Sequence, residues 1–172
     1  MAGGKVHGQG GHGRFSRELQ RGYASRLEAE EKIRRAQEAN MRKFEARVER
    51  EIELIKVDVE KTVFPTVIKA RNNLEQRAKR GGLGGDAFVI RMLALDEYVV
   101  EEIRKRFEAN EITKPHLAEL DYNKFRWLPD TDRTGLMMRL LGKNPSVSKQ
   151  RRILGDIKRF CKDVPRWALG TV

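Results

Sequence analysis

The amino-acid sequence predicts an all-α protein. One long N-terminal helix with an eleven-residue apolar stripe, kinked near Pro65, leads into a small bundle of shorter helices, with extended termini. Three observations carry this expectation. From Met41 the apolar residues advance by 3, 4, 4, 3, 4 and 4 positions, through Phe44, Val48, Ile52, Ile55 and Val59 to Val63, which is the spacing of one helix face. No segment alternates with the period of a strand. Helix breakers punctuate the chain at Pro65, at "RGGLGGD" and at Pro165.

The elements follow in order. Residues 1–14 form a Gly-rich leader without periodicity. Within it, "GQGGHG" fits G-x-G-x-x-G, but a dinucleotide loop needs a preceding strand and a βαβ unit, and neither is present. Residues 15–80 form the long, charged helix. Its apolar residues begin at Phe15, Leu19, Tyr23 and Leu27, and the stripe then closes on itself every eleven residues, as in Met41, Ile52 and Val63. Such a repeat holds one face along a nearly straight helix. The other faces are dense in Glu, Arg and Lys, with Glu28–Lys32 and Glu38–Arg42 spaced for i,i+4 pairing. A helix running from Ser16 to about Phe64 would span on the order of 70 Å. That exceeds the width of a domain of this mass, so part of it is expected to project and seek an external surface. Phe44, Val48, Ile52, Ile55, Val59 and Val63 are therefore read as a docking stripe.

Residues 81–172 are expected to form a small helical domain with a basic C-terminal helix. Asp86 is placed to cap a helix from Ala87 to Ala109, supported by Glu101–Lys105 and Glu102–Arg106. Thr113 begins a short helix with Pro115 in its first turn. "YNKFRWLPDTD" reads as a loop anchored by Tyr122, Phe125 and Trp127, followed by a helix from Asp130 to Leu141 that Gly142 stops. Ser146 or Ser148 caps the last helix, which turns Ile153, Leu154, Ile157, Phe160 and Cys161 inward and ends at Pro165.

Charge is the strongest functional signal. The net charge is +11, unevenly distributed. Residues 1–80 hold 19 basic and 12 acidic side chains, residues 81–122 hold 5 and 9, and residues 123–172 hold 12 and 4. Two basic segments flank an acidic one, a balance that favours a polyanionic partner. The segment "SKQRRILGDIKRFCK" places Lys149, Arg151, Arg152, Lys158, Arg159 and Lys162 on the outer face of a helix, joined by Arg126 and Arg133 from the preceding segment. With Phe125, Trp127 and Trp167 interleaved, this pattern suits contact with phosphates and stacking on unpaired bases.

Signals for catalysis are weak by comparison. His7, His12, His116 and Cys161 have no metal-ligand spacing, the four serines sit at helix starts or on polar faces, and the carboxylates are mostly paired with Lys or Arg. No enzyme, cofactor or metal is expected. A single cysteine permits no intrachain disulfide, and no apolar run approaches the roughly 20 residues of a membrane span.

The expected function is that of a non-catalytic structural subunit of a large assembly, an organellar ribosomal or other ribonucleoprotein component that holds RNA phosphates beside protein neighbours. The alternative is an accessory helical subunit of a protein-only assembly, such as a mitochondrial ATP synthase, a respiratory complex or a microtubule-associated structure. The isolated chain is not expected to be fully ordered. A mitochondrial location follows from the habits of such subunits, with the cytoplasm as the other choice, because no targeting signal stands in the sequence.

Overall fold

The computed structural model describes residues 11–110 and 125–171, and every regular element among them is helical. They are α1 (Gly11–Thr62), α2 (Phe64–Lys79), α3 (Gly85–Ala109), α4 (Asp130–Leu141), α5 (Val147–Cys161) and α6 (Val164–Ala168). The short helix expected at Thr113 and Pro115, the anchor Tyr122, and residues 1–10 of the leader lie outside the described residues. The rest of the leader, residues 11–14, already belongs to α1.

The chain divides into two compact units, Met1–Arg47 and Val48–Val172. In the first, no described side chain is buried. Leu19, Tyr23, Leu27, Ile33 and Met41 are all about half exposed or more. Ion pairs dress this stretch, although not those the spacing predicts. Arg34 takes both Glu31 and Glu38, and Arg35 also takes Glu31. The forked guanidinium of Arg34 bridges two carboxylates and takes Glu38, the partner expected for Arg42; Glu28–Lys32 is not formed either.

The second unit contains the core. The α1–α2 junction is a bend centred on Val63, whose backbone stays helical (φ −89°, ψ −47°). Hydrogen bonds continue through it: Val63 N–H donates to Val59 at 2.9 Å and Val67 N–H to Val63 at 3.1 Å. Pro65 falls in the first turn of α2, where its missing N–H is tolerated. The bend therefore turns the stripe without ending it, and Val63 is followed by Val67, Ala70 and Leu74, all buried. Opposite them stand Leu95, Val99, Ile103 and Phe107 of α3, closed off by Phe125, Cys161, Val164 and Trp167. A smaller cluster joins Val89 and Leu93 of α3 to Leu140 of α4 and Ile153 and Ile157 of α5.

Two expected helix boundaries move. Gly84, extended at φ −69° and ψ 160°, is the N-cap of α3, while Asp86 sits in its first turn and makes no side-chain cap bond. A carboxylate there still complements the positive end of the helix. Pro165 does not end the last helix. α5 stops at Cys161, and Pro165 opens α6 from the first-turn position that suits a residue without a donor. Asn73 Nδ2 donates to the Trp167 carbonyl at 2.7 Å and ties α6 to α2. Gly142 stops α4 as expected, with φ +74°.

Candidate polyanion interface

The basic face is built on α5. Ser146 caps it: Lys149 N–H donates to Ser146 Oγ at 3.2 Å. Ile153, Ile157 and Cys161 are buried at steps of four, and this fixes the rotation of the helix. Arg151, Arg152, Lys158, Arg159 and, at the C-cap, Lys162 are then exposed. Leu154, expected inward, is half exposed because it lies beside the buried row, and Phe160 is only partly covered. Within α5 five basic residues face a single acidic one, Asp156. Arg159 meets that carboxylate at 3.1 Å and lies 4.8 Å from the centre of the Phe160 ring. Arg151, Arg152, Lys158 and Lys162 form no ion pair among the described residues.

Three other cations named from the sequence serve the fold instead. Lys149 Nζ donates to the Leu141 carbonyl at 3.1 Å, satisfying the orphan end of α4. Arg126 and Arg133 converge on Asp96, a carboxylate of α3 that is 1% exposed. Arg126 Nη1 stands 2.6 Å from Asp96 Oδ2, Arg133 Nη1 stands 4.0 Å from the same oxygen, and Leu128 N–H donates to Asp96 Oδ1 at 3.1 Å. Arg133 also holds Asp130 at 2.6 Å. This clamp seats the segment before α4 on α3. A buried charge needs such partners, so the two arginines are counter-ions rather than an anion-binding surface.

The aromatics are anchors too. Phe125 meets Phe107 edge-on at 6.1 Å and Trp127 meets Phe64 at 5.0 Å. Trp167 is buried, and Arg91 of α3 sits 4.5 Å from the Phe160 ring centre and 5.8 Å from that of Trp167. Phe125 and Trp167, both buried, offer no free face to a base, whereas Trp127 is part-exposed and lines a cleft with Arg71, Met92 and Asp132.

The docking stripe also divides. Ile55, Val59 and Val63 are buried in the core of their own unit, and Ile52 packs against it. Val48 is half-buried and Phe44 is 39% exposed. The three innermost residues therefore cannot meet an external partner without unfolding.

Beside the basic face, a cleft of about 660 Å³ lies between α3 and the end of α5. Lys158, Arg159 and Lys162 line it together with Glu101, Glu102, Lys105 and Tyr98. Its mixed charge suits no polyanion. Burial works against the Glu102 carboxylate, yet hydrogen bonds from Lys105 and Arg106 outweigh this and hold its pKa below the usual range. Burial, then Glu97 and Glu101, push the Cys161 thiol up, so it stays protonated at neutral pH and a poor nucleophile. Among the described residues no three His, Cys, Asp or Glu side chains gather as a metal group would need, and no helix is long and apolar enough to cross a membrane.

Comparison with protein families, with curated proteins and with solved structures finds no match for this chain.

Of the cations named for this face, Arg151, Arg152, Lys158 and Lys162 remain without a carboxylate among the described residues, with Arg159 beside them on Asp156. Two residues of consequence escaped the sequence reading. Asp96 had a signal: it lies three residues from Leu93 and from Val99, on the apolar face of α3, where a carboxylate must be paired. The other, Gly155, stands in the middle of the basic row.

Proposed function

We propose that this chain is a non-catalytic structural subunit of a ribonucleoprotein assembly, with the outer face of α5 resting on RNA phosphates. One observation carries the reading: Arg151, Arg152 and Lys158 of α5 and Lys162 at its C-cap are exposed without a carboxylate partner among the described residues, while the other cations named for this face, Lys149, Arg126 and Arg133, serve the fold and Arg159 holds Asp156. A row of unpaired cations on a rigid helix repels itself, and a phosphate backbone relieves that repulsion while releasing counterions. Half-exposed Leu19, Tyr23, Leu27 and Met41 suit protein neighbours within the same assembly.

Four phosphate contacts to single-stranded RNA give a slope of about −3 in log K against log salt. Reversing Arg151, Arg152, Lys158 and Arg159 to Glu should abolish RNA binding, with the helical circular-dichroism signal unchanged. Unaltered RNA affinity in that variant refutes the reading. A native complex that sediments identically before and after nuclease favours a protein-only assembly instead.

A further inference from the structure

Gly155 occupies the centre of the basic face. Arg151 and Arg152 precede it by four and three residues, and Lys158 and Arg159 follow it by three and four. In a helix those four offsets surround one position. All four side chains and the glycine itself are exposed. The two cation pairs lie about 10 Å apart along the axis, at 1.5 Å per residue.

The fold gives Gly155 no reason to be glycine. It is an interior helical residue and not among the glycines with positive φ. A Cβ built there would meet nothing within 4 Å. Glycine destabilises a helix interior relative to alanine, and here no packing contact or turn offsets that cost. Gly22 and Gly135 are equally open inside their helices, so what sets Gly155 apart is the ring of four cations around it, where an absent side chain lets another backbone come near.

Building on the RNA reading above, we infer that Gly155 is a notch over which a single RNA strand crosses α5, its sugar–phosphate backbone against the glycine and its phosphates gripped on one side by Arg151 and Arg152 and on the other by Lys158 and Arg159. An acidic protein helix would fit the charge but not the surroundings. Close helix packing at a glycine needs apolar neighbours to bury, and the four residues around this one are all cationic. Asp156, the one carboxylate of α5, is engaged by Arg159.

The test uses the full chain as wild type, Gly155→Ala and Gly155→Leu. Binding to a fluorescein-labelled oligouridylate of about 20 nucleotides is followed by anisotropy at fixed salt, with a polyglutamate peptide as the second probe. Both variants should melt at or above the wild-type temperature, since both residues favour helix more than glycine does. RNA affinity should fall in order of side-chain size, by at least about tenfold for Gly155→Leu, the loss expected when charge-assisted phosphate contacts are broken. Wild-type RNA binding that Gly155→Leu retains within about twofold overturns the notch and leaves the RNA reading standing. Equal weakening toward polyglutamate overturns the choice of an RNA strand. A wild-type chain that does not bind the oligouridylate overturns the RNA reading itself.

Discussion

Replacing Asp96 with Ala should destabilise the helical unit more than any surface change, and its size can be worked from the clamp. The carboxylate is almost fully buried and accepts from Arg126 at 2.6 Å and from Leu128 N–H at 3.1 Å. Removing it strands a guanidinium and a backbone donor together. Breaking a buried ion pair from one side costs about 3–5 kcal/mol. The Arg126 side chain is 22% exposed, so water recovers part of its hydration and the lower end of that range, about 3 kcal/mol, is expected. For a chain of this length that is a fall in Tm on the order of 10 °C. Asp96→Asn keeps an acceptor for Leu128 and should lose less. The assay is urea and thermal unfolding at pH 7, followed by circular dichroism, for Asp96→Ala, Arg126→Ala and the double variant. A coupling energy of about 1–3 kcal/mol is expected, as for residues sharing one network. The clamp is refuted if Asp96→Ala loses under about 1 kcal/mol, or if the two changes add within about 0.5 kcal/mol. It also fails if Arg126→Ala leaves the melting curve intact and weakens RNA binding instead, because Arg126 would then belong to the interface.

Two further outcomes are expected. Val59→Asp should unfold the second unit, whereas Met41→Asp should leave its melting unchanged, because Val59 is buried and Met41 is 54% exposed; equal effects in thermal denaturation would erase the division of the stripe. Glu102 has a lowered folded pKa, so the stability it contributes is complete above the unfolded value of about 4.3 and is lost as pH falls through the folded value. Glu102→Gln should therefore flatten the acid limb of Tm against pH, and limbs that run parallel in wild type and variant would contradict the ion pairing with Lys105 and Arg106.

Periodicity and punctuation alone determined the all-α class, the stripe from Met41 to Val63, the bend near Pro65 and the span of α4. These are local properties: spacing selects a face, proline removes a donor, and Gly142 accepts a backbone that other residues resist. The basic character of α5 was legible for the same reason, since its buried and exposed rows follow from register. What the sequence could not decide is which charges are occupied. Arg126 and Arg133 look as free as Arg151 and Arg152 until Asp96, 30 and 37 positions upstream, is found beneath them. Nor could it say where the stripe stops meeting its own core and becomes surface. Both depend on contacts between residues far apart in the chain, and burial, which makes a charge demand a partner, exists only once those contacts form.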